Sequence, residues 1–195
     1  YPRLYLWTDP AASVVRAAPA AAAPVFNDPV RTMTVPGDGH FYDSATALAV
    51  SGGVAYSAGY IYDATGGDDI LIQRWDEDPL GWMVQWDGAA GRADTASDVA
   101  VRGDAVYVVG TTQKEVGDTD LLVLKYTTAG AFVWMRTYPA LGSAWEFASR
   151  LAVDKAGNLI VAGTRTQAAG ASPVSMIILK YTPDGHCVFS RSLAL

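Results

Sequence analysis

Short apolar runs separated by turns rich in glycine and aspartate fill most of the chain. In one such run, Val106 and Val108 face one way and Tyr107 and Val109 face the other, as in a β-strand with a side-chain period of two. The run 121–124 is apolar at every position, which is typical of a strand covered on both faces by neighbouring sheets. Short strands joined by tight turns predict an all-β chain.

Three stretches of the sequence repeat one another. The first halves of the repeats are 44–60, 95–111 and 147–164, and the second halves are 69–86, 120–138 and 175–193. The corresponding residues Val50, Val101 and Val153 are separated by steps of 51 and 52 residues. Turn residues divide each repeat into four short strands. A period of this length with four antiparallel strands per unit is typical of a β-propeller blade.

The repeats divide the chain into units 43–93, 94–143 and 144–195, which we assign to one β-propeller domain. Residues 1–42 resemble the third and fourth strands of a preceding unit. The segment 17–29, rich in alanine and proline, would join those two strands as a long hairpin loop or serve as a contact arm for a partner. The sequence therefore predicts about three and a half units, in a partial or open propeller.

Two features of the repeats predict particular structural roles. We expect Gly59, Gly110 and Gly163 to serve one backbone role at the end of the second strand of each unit, where glycine permits a bulge or a close approach. We also expect the first strands of the three units to lie side by side.

The units resemble the bacterial seven-bladed β-propeller repeat family, known as SBBP repeats. The middle unit carries the resemblance through DTASDVAVRGDAVYVVGTT and DTDLLVLKYTTAGAFVWMRTY, and the third unit through ASRLAVDKAGNLIVAGT and IILKYTPDG. The first unit has QRW where the middle unit has LKY. The resemblance covers residues 43–193. It implies a propeller in secreted, periplasmic or cell-surface bacterial proteins, and it does not imply an enzyme.

Seven such units would need roughly 350 residues, whereas this chain has 195. A ring closed by the two chain ends is not expected for three and a half units. The chain is therefore predicted to be part of a longer propeller or a subunit of a larger assembly that covers its end faces.

Charge and cysteine content exclude several classes of function. The net charge is −6, and the 14 basic residues are scattered singly, which argues against nucleic acid or anionic lipid as a partner. No apolar run approaches the ~20 residues that a membrane-spanning helix needs. The single cysteine, Cys187, excludes an internal disulfide and a thiolate metal cluster.

Known catalytic motifs are absent from the sequence. There is no G-x-S-x-G elbow, no H-E-x-x-H and no phosphate loop. The two histidines, His40 and His186, are interpreted as structural. His186 is adjacent to Cys187, and neighbouring strand residues point to opposite faces, so this pair cannot act as nucleophile and base. We therefore predict no enzyme, no catalytic residue and no required cofactor.

Acidic turns precede the third strand of the first two units, as GGDD and GDTD. Carboxylate oxygens on loops can bind Ca²⁺. The candidate calcium ligands are Asp68, Asp69, Asp118 and Asp120. The third unit has ASPVS at this place, and aspartate and glycine are common turn residues, so a turn-forming role is the alternative.

Tryptophan recurs at equivalent positions of the units. Trp75, Trp82 and Trp134 are predicted to pack between neighbouring units. Other residues could contact a partner through exposed aromatic or proline side chains. These candidate partner contacts are Trp145, Trp86, Pro19 and Pro24.

These patterns favour a non-enzymatic scaffold or protein-interaction module, as a subunit or fragment of a larger bacterial envelope or extracellular assembly. The expected partners are other proteins or missing blades of the same polypeptide, without nucleic acid and without a direct membrane span. Two alternatives stay open: a propeller that binds carbohydrate or Ca²⁺, and a fragment of an enzyme that lacks its site.

Overall fold

The computed structural model describes residues 3–6, 43–63, 67–76, 81–116, 118–138, 144–167 and 174–194. These residues form thirteen β-strands and no helix. The strands are β1 (Arg3–Leu6), β2 (Ser44–Ser51), β3 (Val54–Asp63), β4 (Gly67–Trp75), β5 (Trp82–Trp86), β6 (Asp94–Arg102), β7 (Ala105–Glu115), β8 (Asp118–Thr127), β9 (Phe132–Tyr138), β10 (Ala144–Val153), β11 (Leu159–Gln167), β12 (Ser175–Tyr181) and β13 (Cys187–Ala194). The prediction of an all-β chain is confirmed for this part of the protein.

Each predicted unit forms four consecutive antiparallel strands. Strands β2 to β5 form the first sheet, β6 to β9 the second and β10 to β13 the third. One parallel bridge, Trp145 to Thr119, joins β10 to β8, so hydrogen bonding connects the second and third sheets into eight strands. Successive strands pair because each turn is only a few residues long, which favours antiparallel neighbours.

Strand β1 lies at the edge of the first sheet, where Leu4 pairs with Val84 of the outer strand β5. The sequence pattern instead placed this stretch in the third strand of a preceding unit. The difference arises because an unpaired outer strand offers free N–H and C=O groups to any extended segment. The rest of that predicted half unit, residues 7–42, lies outside the described residues.

Two apolar cores separate the three sheets. The core between the first and second sheets contains Tyr56, Ala58, Ile70, Ile72, Trp82, Val84, Trp86, Ala96, Val99, Val106, Val108, Leu122, Leu124 and Tyr126. The core between the second and third sheets contains Tyr107, Val109, Leu121, Val123, Trp134, Ala148, Leu159, Val161, Ile177, Leu179 and Tyr181. The second sheet is thus buried on both faces, and the predicted alternation along β7 and the two-sided burial of β8 are confirmed.

Equivalent glycines lie opposite equivalent bulges. Gly59, Gly110 and Gly163 each face a break in the register between the first and second strands of their unit. A Cβ atom at any of them would overlap a carbonyl oxygen of the first strand, that of Ser44, Thr95 or Phe147 respectively. The prediction of one shared backbone role for these glycines is confirmed.

Hydroxyl groups tie the first strand of each unit to the first strand of the next. The Thr46 Oγ1 of β2 donates to the Ala96 carbonyl of β6 at 2.7 Å. The Ser97 Oγ of β6 donates to the Ala148 carbonyl of β10, also at 2.7 Å. Strands β2, β6 and β10 therefore lie side by side, as predicted.

Tryptophan side chains repeat a second contact between the sheets. The Trp82 indole donates to the Thr128 carbonyl at 2.8 Å, and the Trp134 indole donates to the Pro183 carbonyl at 3.2 Å. Both carbonyls belong to the turn between the third and fourth strands of the following unit. The same kind of indole hydrogen bond therefore joins the first sheet to the second and the second sheet to the third.

Candidate functional site

Two pairs of buried acidic side chains lie at equivalent places between the sheets. Asp69 of β4 and Asp94 of β6 meet between the first and second sheets. Asp120 of β8 and Glu146 of β10 occupy the aligned positions between the second and third. All four are at most 3% exposed. Buried carboxylates are costly unless opposite charges or hydrogen bonds compensate them.

Basic side chains compensate the pair between the second and third sheets. The Lys114 ammonium forms an ion pair with Asp120, and the Arg165 Nε lies 3.1 Å from the Glu146 Oε1. Lys114 lies near the end of β7, which pairs with the strand of Asp120, and Arg165 lies near the end of β11, which pairs with the strand of Glu146. Each acid is therefore paired with a basic residue of the neighbouring strand in its own sheet. The two ion pairs compensate Asp120 and Glu146, although the Glu146 Oε2 has no hydrogen-bond partner among the described residues.

A third carboxylate joins the pair between the first and second sheets. Asp87 follows β5 directly and places one carboxylate oxygen within 4.8 Å of oxygens from Asp69 and Asp94. The Gln85 Nε2 donates to the Asp69 Oδ2 at 2.7 Å. The Gly88 backbone N–H donates to the Asp94 Oδ2 at 2.6 Å. We call Asp69, Asp87 and Asp94 the aspartate cluster.

The structure separates the four aspartates predicted as calcium ligands. Asp69 belongs to the aspartate cluster, and Asp120 is ion-paired with Lys114. Asp68 lies outside both sites, and burial together with the Asp43 charge raises its pKa. Asp118 adds negative charge near Glu146 without contacting the cluster.

Sequence reasoning missed Asp94 and Asp87. A signal for Asp94 was present, because an acidic residue recurs at the beginning of the first strand of every unit, at Asp43, Asp94 and Glu146. No comparable signal marked Asp87, whose approach to Asp94 depends on the path of the chain after β5.

Two of the three recurring tryptophans pack between sheets as predicted. Trp82 and Trp134 are buried between sheets, where each ring also contacts a tyrosine of its own sheet, Tyr56 or Tyr107. Trp75 is half-buried on the outer face of the first sheet, which no described sheet covers.

Four candidate partner contacts have different outcomes. Trp86 is only 5% exposed and lies in the core between the first and second sheets, which corrects its prediction as a surface contact. It is buried because Trp82, Val84 and Trp86 alternate onto the covered face of β5. Trp145 is 38% exposed on β10. Pro19 and Pro24 lie outside the described residues.

The histidine and cysteine of the last hairpin are at the surface. His186 lies 3.2 Å from the Asp184 carboxylate in the turn before β13, with both side chains more than half exposed. Cys187 is also exposed. His40 lies outside the described residues.

An open groove of about 760 Å³ lies between the turns of the second and third sheets. Two of its basic side chains hold the sheets together. The Arg102 guanidinium donates to the Lys155 carbonyl at 2.8 Å, and the Lys125 ammonium donates to the Pro183 carbonyl at 2.6 Å while lying over the Tyr107 ring. The groove is therefore a seam between sheets with structural contacts along it.

The outer face of the third sheet is the face turned away from the second sheet. It exposes apolar side chains whose counterparts in the second sheet are covered by a neighbouring sheet. Met176 is 44% exposed, whereas its counterpart Leu121 is fully buried. Leu193 is 63% exposed, whereas its counterpart Tyr138 packs against the core between the second and third sheets. We call this surface, which also carries Ile178 and Phe189, the trailing face.

The outer face of the first sheet has a different chemistry. The Trp75 indole donates to the Ser57 Oγ at 2.8 Å, and the Ser57 Oγ donates to the Gln73 Oε1 at 3.1 Å. The residues of the second sheet aligned with Ser57 and Gln73 are apolar, Val108 and Leu124. The two end faces of the stack are therefore not interchangeable.

No protein-family model and no curated protein matches this chain. Within the described strands there is no helix with the length and apolar character needed to cross a membrane.

Glu146 should make the stability of the protein depend on pH. Burial raises the pKa of Glu146 to about 7 from its ordinary 4.5, the charges of Asp120 and Asp118 raise it further, and Arg165 and Lys114 oppose the shift. Between these two values the folded state binds a proton that the unfolded state releases. Stability should therefore increase as pH falls from 8 to about 5, and this gain is lost as pH rises through 7.

Chemical denaturation of the wild type and of Glu146→Gln at pH 5 and pH 8 measures this effect. The wild type should gain about 1–3 kcal/mol more than the variant on acidification. Glu115→Gln, an exposed site at the end of β7, is the control and should follow the wild type. Equal gains in the wild type and Glu146→Gln would contradict the assignment.

Proposed function

We propose that this chain is a non-enzymatic, β-propeller-type scaffold that binds other proteins, or further units of its own kind, through the trailing face. The observation that carries the proposal is the exposure of Met176 and Leu193 at positions whose counterparts pack between sheets. An exposed apolar surface at the repeat-equivalent of a buried interface is stabilised when a similar surface covers it.

The repeated contacts between sheets support the propeller type. The Thr46 and Ser97 hydroxyl bonds, and the Trp82 and Trp134 indole bonds, place each sheet on the next in the same way. A head-to-tail step of this kind produces a closed ring or an open array when it is repeated. Face-to-face stacking of four-stranded antiparallel sheets is the arrangement of propeller blades.

We place the protein at the bacterial cell surface, in the periplasm or outside the cell, on the basis of its resemblance to SBBP repeats. Repeat arrays present extended binding surfaces, and the acidic charge of −6 favours solubility over binding to anionic polymers.

Light scattering of the 195-residue chain over a range of concentrations tests the proposal. The wild type should associate as concentration rises, because the trailing face becomes covered. Leu193→Lys should raise the concentration needed for association by about tenfold or more, since it places a charge in that face. Ser192→Lys is the control, because Ser192 is also exposed on β13 but pairs with Ile177, so its side chain points away from the trailing face.

A wild type that stays monomeric at every concentration would count against the proposal. So would an equal effect of Leu193→Lys and Ser192→Lys, because it would show that general charge, and not the trailing face, controls association.

A further inference from the structure

We propose that the aspartate cluster is a calcium-binding site that joins the first and second sheets. Asp69 comes from β4, Asp87 follows β5 and Asp94 begins β6, so a bound ion would connect the last strands of one sheet to the first strand of the next. The site is independent of the trailing face.

The geometry of the three carboxylates suits one cation. One oxygen of each lies within 4.8 Å of the others. Asp69 and Asp94 are buried, at 3% and 0% exposed, while Asp87 is exposed. Two fixed ligands would thus hold the ion from inside, and Asp87 and water would complete the coordination from the solvent side.

The Asp94 side chain provides a second, independent observation. It is fully buried, and its Oδ1 has no hydrogen-bond partner among the described residues. Its other oxygen, Oδ2, accepts the Gly88 N–H at 2.6 Å, and a hydrogen bond from the Thr112 side chain lowers the pKa of the carboxyl without offsetting its burial. A buried carboxylate oxygen without a donor is costly, and a metal ion supplies the missing electrophilic partner.

The electrostatics agree with this assignment. Burial raises the pKa of Asp94 to about 6, hydrogen bonds from Thr112 and Gly88 lower it, and the charges of Asp69 and Asp87 raise it further. No basic side chain contributes to the pKa of Asp94. Three carboxylates that repel one another in this way are stabilised together by a divalent cation.

The equivalent site between the second and third sheets contains basic side chains that the aspartate cluster lacks. There, Lys114 neutralises Asp120 and Arg165 neutralises Glu146. The residues aligned with Lys114 and Arg165 at the aspartate cluster are Asp63 and Thr112. A bound cation would therefore take the place that two basic side chains hold in the next interface.

The ligand chemistry selects calcium. Carboxylate oxygens favour Ca²⁺, Mg²⁺ and Mn²⁺ over metals that prefer nitrogen or sulfur ligands. Three carboxylates from three different elements, open to water on one side, give the irregular oxygen shell that Ca²⁺ accepts and Mg²⁺ does not.

Calorimetric titration of the chelator-treated 195-residue chain with CaCl₂ tests the proposal. We expect one Ca²⁺ per chain, with a Kd on the order of 10⁻⁴–10⁻³ M, as in extracellular calcium modules. The melting temperature should rise with Ca²⁺ concentration, because the ion binds only the folded state.

Substitutions locate the ion. Asp94→Asn and Asp87→Asn should each weaken Ca²⁺ binding by about tenfold or more. Asp87 is exposed, so Asp87→Asn keeps the test valid if Asp94→Asn fails to fold. Asp120→Asn is the matched control, because Asp120 is the aligned acid that Lys114 already neutralises, and it should bind Ca²⁺ like the wild type.

The proposal would be overturned if no Ca²⁺ bound at concentrations up to about 10 millimolar, which is about tenfold above the weakest expected Kd. Unchanged Ca²⁺ binding in both Asp87→Asn and Asp94→Asn would also overturn it. So would tighter binding of Mg²⁺ than of Ca²⁺. Association of the chain through the trailing face is measured separately, so failure of one proposal leaves the other standing.

Discussion

Replacing Gly110 with alanine should destabilise the protein by about 3 kcal/mol or more, a larger loss than most single substitutions produce. The new Cβ would overlap the Thr95 carbonyl oxygen and crowd the Ala96 Cα, which lies 2.9 Å from its position. Both atoms belong to the backbone of β6 at its bulge, so no side-chain rotation can relieve the overlap. The strands β6 and β7 would have to separate at the centre of the doubly buried sheet.

Urea denaturation of Gly110→Ala beside Gly103→Ala measures this loss. Gly103 has a positive φ of 57°, but nothing lies within 4 Å of a Cβ built there. Its substitution should cost only the backbone strain of that conformation, about 1–2 kcal/mol. Equal losses in the two variants would show that the close approach of β6 to β7 at Gly110 is not essential.

Replacing Trp134 with alanine should cost about 3–5 kcal/mol, because it empties a large site between the second and third sheets. The ring packs on the turn of the next unit, where a Cβ added at Gly185 would lie 3.0 Å from it. The substitution also removes the indole hydrogen bond to Pro183 and the stacking of Arg136 over the ring.

Phe189→Ala is the matched comparison for Trp134→Ala. Phe189 holds the aligned position on the trailing face, where it is only half-buried and contacts Arg191. At concentrations where light scattering shows a monomer, its loss should cost about 1 kcal/mol or less. If both substitutions cost the same, the trailing face of the monomer is already covered and our description of it is wrong.

The repeat in the sequence predicted the strands and turns well, because both depend on residues that are close together in the chain. The alternation of side chains predicted that Val106 and Tyr107 lie on opposite faces of β7. In the structure, Val106 lies in the core between the first and second sheets and Tyr107 in the core between the second and third. The glycines at 59, 110 and 163 were found from alignment alone. The short turns then predicted which strands pair, because two strands joined by a short turn can pair only in the antiparallel direction.

Long-range features could not be predicted in the same way. The pairing of β1 with β5 depends on which sheet edge is free, and an edge has no sequence signature. Asp94 meets Asp69 across two sheets, 25 residues away in the chain, so their proximity follows from stacking and not from spacing. Trp86 was misjudged for a different reason: its spacing from Trp82 and Val84 already indicated the covered face of a strand.

The repeated contacts between sheets have a consequence for how such a chain changes through evolution. Each sheet meets its neighbour through a hydroxyl bond, an indole bond and a glycine-containing turn, and these contacts are the same at both interfaces. A unit added by gene duplication would therefore bring its own matching surfaces, and existing interfaces would need no new substitutions. Selection would then act mainly on the outermost sheets, where the surface that meets the next element differs between the polar first sheet and the apolar third.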